Sequence, residues 1–173
     1  MLKIFNDLEP FFRDNYRRIS VREYSRMLKI SPPSASTLLE QYHKEGILNK
    51  EEERNYIFYF ASRDNIVFVH LSKIFWSIEL RKSGIMDYLE RGLVNPLIIL
   101  FGSFSKAEVK KGSDIDVAIF TSVEKRINPI NIVFFEDKLK HKMQIFTFKR
   151  RENVKNEELL NNILNGHTIS GSW

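Results

Sequence analysis

Apolar residues recur at helical spacing over residues 2–14, where Leu2, Ile4, Phe5, Leu8, Phe11 and Phe12 predict a first helix. Residues 21–29 repeat the pattern, with Val21, Tyr24, Met27 and Leu28 on one side. Ser31-Pro32 supplies an N-cap and a first-turn proline, so a third helix starts there, runs to about Glu45 and stops at Gly46. Two apolar stretches, Ile47–Asn49 and Tyr56–Phe60, flank the polar segment EEERN and predict a β-hairpin. Residues 63–84 are apolar over much of their length, through Ile66, Phe68, Val69, Leu71, Ile74, Phe75, Trp76 and Ile78. They predict a largely buried helix, broken at Ser83-Gly84 before a second helical piece from Ile85 to Leu93.

Past Pro96 the pattern changes. Leu97–Phe101 has the length and branching of a buried strand, and Gly102-Ser103 marks where the backbone leaves it. A second apolar run ends at Phe120 and carries Asp114 and Asp116 within it. Asn128-Pro129 predicts a helix over 129–140, although INIVFF also fits an extended segment. Met143–Phe148 reads as a third strand. Asn156 caps a helix through Asn165 that Gly166 ends, and a short extended tail runs from His167 to Ser170. The expectation is an α+β chain, divided into residues 1–62, a connecting helix 63–84 and a second domain 85–173. The connector serves either as an inter-domain spine or as a homodimer contact, and the pattern leaves both open.

Composition narrows this picture. Apolar residues make up 43% of the chain, with 14 phenylalanines, enough for packed cores. Cysteine is absent, which excludes disulfides and thiolate metal sites and fits a reducing cytoplasm. Asp7 and Glu9 interrupt the stretch where an export signal needs an apolar core, and no run is long enough to span a bilayer. A cytoplasmic protein without a membrane partner is expected. The net charge is +5; residues 1–62 hold ten Lys/Arg against nine Asp/Glu, so the basic excess lies mostly in the C-terminal part.

The chemistry centres on Asp114 and Asp116. At i and i+2 on a strand, both carboxylates point to the same face, where they repel unless a cation sits between them. A hard divalent ion is the usual solution, and Mg2+ favours one or two carboxylates plus phosphate oxygens. Gly102 leaves room for a phosphate to approach the backbone, and the N–H groups and Ser103 hydroxyl of the turn can bind its oxygens. The four histidines, His43, His70, His141 and His167, show no metal-ligand spacing.

The stretch GSFSKAEVKKGSDIDVAIF resembles the signature of polymerase-β-like nucleotidyltransferases, especially the minimal ones, in Gly-Ser, a spacer and an apolar-flanked Ser-Asp-x-Asp. The resemblance covers about residues 85–171. It implies a mixed sheet with flanking helices, Asp114 and Asp116 as catalytic metal ligands, and nucleotide binding by Gly102, Ser103 and Ser113. It implies Mg2+ or Mn2+ as cofactor, with ATP or another nucleoside triphosphate as substrate or ligand. Two departures stand out. Ala107 replaces a frequent glycine, and the family's third acid, on a later strand, falls at Gln144, which carries no charge and is no general base.

Residues 1–62 resemble the winged helix-turn-helix family, best over VREYSRMLKISPPSASTLLEQYHKEGIL. DNA reading would then fall to Ser34, Ser36, Thr37 and Gln41 on the third helix, with Arg22, Arg26 and Lys29 as a basic stripe for phosphates. Glu51, Glu52 and Glu53 at the wing tip oppose that use, and a protein-docking or dimerisation module is the competing reading. Two functions follow from these resemblances. One is transfer of a nucleotidyl group, AMP from ATP, to a protein, nucleic-acid or small-molecule hydroxyl, as in nucleotidyltransferases paired with HEPN-domain toxins. The other is a DNA-binding regulator whose second domain is a degenerate, nucleotide-sensing or docking nucleotidyltransferase.

Overall fold

The computed structural model describes residues 2–122 and 129–173. The chain forms two compact units: residues 1–72 with 107–111, and residues 73–106 with 112–173. The predicted N-cap at Asn128 lies outside the described residues.

The first unit runs α1 (Lys3–Arg13), β1 (Ile19–Ser20), α2 (Val21–Leu28), α3 (Pro32–Lys44), β2 (Leu48–Glu53) and β3 (Tyr56–Ala61). Ser20 caps α2 by accepting from Glu23 N at 3.3 Å, and Ser31 caps α3 by accepting from Ser34 N at 3.2 Å. The hairpin is tighter than the sequence suggests. Glu51–Glu53 belong to β2 itself, and the turn is only Arg54-Asn55, both at positive φ, the two-residue geometry that matches strand twist. The two-residue β1 has too little pattern to be read from sequence; it joins the sheet in the order β1-β3-β2, all antiparallel. Phe5, Leu8, Phe11 and Phe12 of α1 are buried with Tyr24, Leu39, Leu48 and Tyr59. The same core takes in Asp7, whose carboxylate accepts from Tyr42 Oη at 3.0 Å while its carbonyl accepts from Tyr24 Oη at 2.8 Å. Burial, and then the nearby Asp7 charge, push the Tyr24 hydroxyl well above its ordinary pKa.

Residues 107–111 come from the spacer of the Gly-Ser/Asp-x-Asp stretch, yet they pack in this first unit. Asn15 N donates to Val109 O at 2.8 Å, Val109 N donates to Asn15 Oδ1 at 2.6 Å, and Lys110 lies 4.3 Å over the Tyr16 ring. Ala107 is buried at φ 55°, a left-handed backbone that favours glycine.

The helix α4 (Ile66–Ser83) begins in the first unit and its residues from Lys73 on belong to the second. The second unit continues with α5 (Ile85–Gly92), β4 (Leu97–Phe101), α6 (Ser103–Lys106), β5 (Ile115–Phe120), α7 (Pro129–Leu139) and β6 (Met143–Phe148). A short 3-10 turn (Arg151–Asn153), α8 (Glu157–Leu164) and β7 (His167–Ser170) complete it. The 129–139 segment is helical, which removes the extended alternative for INIVFF. The sheet order is β6-β5-β4-β7, with β5 and β6 parallel and the other pairs antiparallel. This is a mixed sheet in an α+β unit.

The two central strands are apolar on both faces because both faces are covered. On one, Leu97, Ile99, Phe101, Ala118 and Phe120 pack with Val154 and Ile163, and with Leu159 and Leu160 of α8. By alternation Ile98, Leu100, Val117 and Ile119 face the other side. That part of the unit also buries Trp76 and Phe104, whose rings meet edge-on at 4.6 Å. Gly166 ends α8 as its position suggests, but for close approach: a Cβ there would lie 2.6 Å from Ile99 Cγ2 and 2.7 Å from Leu100 O. No helix among the described residues is long and apolar enough to cross a membrane.

Candidate active site

The ends of three adjacent strands build the site. β4 ends at Phe101, which pairs with Asp116 on β5, and Asp116 pairs in turn with Gln144 on β6. Gly102 then turns the chain at φ 67° into α6, whose first turn is held by Ser105 N and Oγ donating to Gly102 O at 3.2 and 3.0 Å. A side chain at Gly102 would collide with Asp116 Oδ2, so glycine is required both by the backbone angle and by the carboxylate beside it. Ser103 and Ser113 are each half-buried at this end of the sheet.

Asp116 is half-buried in an otherwise buried strand. Burial first, and the neighbouring Asp114 carboxylate second, hold its carboxyl above the usual range. Asp114 lies one residue ahead of β5 and accepts a hydrogen bond from Gln144 Nε2 at 2.8 Å. The residue at the third-acid position therefore faces the pair, as register requires, but it presents an amide donor where the family pattern has an anion. Among the described residues no group of three or more His, Cys, Asp or Glu gathers around a metal-sized site. Glu136 does not fill the gap: its carboxylate accepts from Met143 N at 2.8 Å and from Lys142 Nζ at 2.9 Å. Those bonds hold Glu136 below its usual range, and the pairing raises Lys142. Lys140 sits at φ 61° before β6 begins, so it does not share the strand alternation of Gln144.

The donor set is all oxygen, with two carboxylates, one of them partly desolvated, and a side-chain-free turn against them. This suits a hard divalent cation, which would offset both the burial of the Asp116 carboxylate and its repulsion by Asp114. Of the spacer lysines, Lys106 Nζ donates to Asn162 Oδ1 at 2.9 Å, and Lys110 lies over the Tyr16 ring.

His141, which shows no metal-ligand spacing in the sequence, is a satisfied histidine. Its Nδ1 lies 2.8 Å from Ser113 O, and its ring meets Trp76 and Phe104 edge-on at 5.4 and 5.1 Å. It thus ties the residue before Asp114 to the core. In the sequence it is visible only as a histidine two residues before an apolar strand, which by itself has no chemical meaning.

In the first unit, Arg22 and Arg26 are exposed on α2, but Lys29 adopts φ 56° at the C-cap and leaves the helical stripe. Ser34, Ser36, Thr37 and Gln41 are exposed on α3, with Ser34 sharing a hydrogen bond with Ser31, Thr37 donating to Pro33 O and Gln41 donating to Glu45. Arg18 pairs with Glu51 at 3.3 Å and Glu53 at 3.0 Å, so part of the hairpin's acidity is neutralised locally.

Compared with models of known protein families, residues 85–171, half of the chain, match the one described as Polymerase beta, Nucleotidyltransferase. No curated protein and no solved structure matches the chain.

Proposed function

The chain belongs to the polymerase-β nucleotidyltransferase family, and from that premise we propose that its second unit binds a nucleoside triphosphate with Mg2+ or Mn2+ and moves the nucleotidyl group to an acceptor hydroxyl. AMP from ATP is the proposed transfer, and a protein such as a HEPN-type partner, a nucleic acid or a small molecule is the proposed acceptor. The observation that carries this reading is Asp116 lying against Gly102, with the Asp114 carboxylate next to it, where β4 ends and β5 begins. Asp114 and Asp116 would hold the cation, which would supply neutralisation of phosphate charge. The turn at Gly102-Ser103 admits phosphate oxygens to backbone N–H groups, and Ser113, fixed through its carbonyl by His141, keeps Asp114 in place.

Gln144 favours a second reading. Its hydrogen bond to Asp114 supplies no negative charge for a second cation and no base for the acceptor hydroxyl. On that reading the site senses nucleotide while the first unit acts as a regulator. The order helix, strand, helix, helix, hairpin supports a winged helix-turn-helix, with Arg22 and Arg26 as DNA phosphate contacts.

Incubation with α-labelled ATP, Mg2+ or Mn2+ and candidate acceptors separates the two. Transfer lost in Asp114→Asn marks an enzyme. No transfer in the natural chain, with activity gained in Gln144→Asp, marks the sensing form. For the first unit, a salt-dependent DNA shift that weakens in Arg22→Ala/Arg26→Ala supports DNA binding; an unchanged shift refutes these contacts.

A further inference from the structure

The end of the sheet away from the aspartates carries a cavity. It has a volume of about 570 Å³ and is lined by Leu97, Phe120, Lys149, Arg150, Arg151 and Trp173, among others. Phe120 stands four residues along β5 from Asp116, a separation of roughly 13 Å at strand rise, so the two sites do not share ligands. The walls have a defined origin. Thr121 N donates to Phe148 O at 3.0 Å, which keeps β5 and β6 together to their ends, and Lys149-Arg150-Arg151 follow directly as β6 gives way to the 3-10 turn. Arg150 N donates to Asn153 Oδ1 at 3.0 Å, fixing the start of that turn. Among the described residues, three cations line the cavity together with one carboxylate, Glu152.

Opposite them stands an indole. Trp173 is 65% exposed although its ring lies 5.0 Å from that of Phe120, which itself lies 5.6 Å from Phe148. One edge of the indole is supported by the core while much of its surface meets solvent. An exposed, supported aromatic beside a basic wall pairs a stacking surface with phosphate contacts.

We propose that this cavity binds an unpaired nucleotide chain, a base stacking on Trp173 and its phosphates meeting Lys149, Arg150 and Arg151. The ligand class is single-stranded nucleic acid, and the site operates independently of the Asp114/Asp116 pair.

The chain offers its own reporter. Of the two tryptophans, Trp76 is fully buried, so quenching of the accessible fluorescence reads Trp173. The full chain, in EDTA so that no divalent ion occupies the aspartates, is titrated with a short oligouridylate, with UMP and with inorganic polyphosphate. The oligonucleotide is expected to quench Trp173 with strong salt dependence. Arg150→Ala/Arg151→Ala should lower the slope of log affinity against log salt by about 0.7 per cation removed. Trp173→Ala, followed by anisotropy of a labelled oligonucleotide, should weaken binding by about tenfold or more. Lys3→Ala, at an exposed cation of α1 outside the proposed sites, should leave both readouts unchanged, which separates a local effect from loss of net charge. UMP binding as tightly as the oligonucleotide would overturn the chain ligand in favour of a free nucleotide. Polyphosphate binding equally well, with Trp173→Ala without effect, would reduce the site to a charge-only surface and overturn the proposal. Oligonucleotide binding without quenching would do the same.

Discussion

Gly102 and Asp116 are a matched pair: one lacks a side chain because the other's carboxylate occupies the space. Gly102→Ala therefore meets two penalties, a left-handed φ worth about 1–2 kcal/mol for an L-residue and displacement of Asp116. The expected outcome is a lower Tm together with loss of Mn2+ affinity, measured by thermal unfolding and by metal titration. Asp116 gives a separate, pH-dependent signature. A carboxyl raised by burial and by Asp114 binds its proton more tightly in the folded state than in the unfolded one. Stability from this group is thus fullest at acid pH and falls as pH rises from its ordinary pKa through the raised one. Asp116→Asn removes that penalty, so without metal it should unfold at a higher temperature than the natural chain at neutral pH. The gain should vanish below about pH 4, where both forms are uncharged. With Mn2+ present only the natural chain should gain stability. A variant no more stable than the natural chain at neutral pH would show that Asp116 is not under this strain.

The joints between strands and helices were unevenly legible in the sequence. Ser31 and Asn156 cap helices through their own side chains, so local composition sufficed to place those starts. The register β4-β5-β6, which sets Phe101, Asp116 and Gln144 side by side, was legible only through the family pattern, because strand pairing is not a local property. His141 and the packing of residues 107–111 were not legible, since both depend on partners far along the chain. Gly166 shows the difference well: its place at a helix end was plain, but its cause is β4 lying against it. Gly166→Ala should push β7 from β4 and lower stability by about 1–3 kcal/mol in urea unfolding. An effect confined to a few tenths would mean that the contact relaxes freely.

At the scale of the molecule, the two units carry different chemistry. The second has the Asp114/Asp116 carboxylate pair and a separate basic, aromatic cavity at the other end of its sheet. The first presents exposed Arg22 and Arg26 on α2, while its hairpin acids are partly paired with Arg18. Charge totals hinted at a basic C-terminal portion, but only the fold gathers Lys149, Arg150 and Arg151 beside Trp173. The account rests centrally on Asp114 and Asp116 as the anchor of a cation-dependent nucleotide site, whether or not Gln144 allows turnover. Calorimetric titration with ATP, in Mn2+ or in EDTA, tests it most directly. Heat of binding that requires Mn2+ and is abolished in Asp114→Asn and Asp116→Asn is the predicted result. ATP binding that persists in EDTA, or that neither substitution weakens, would contradict it.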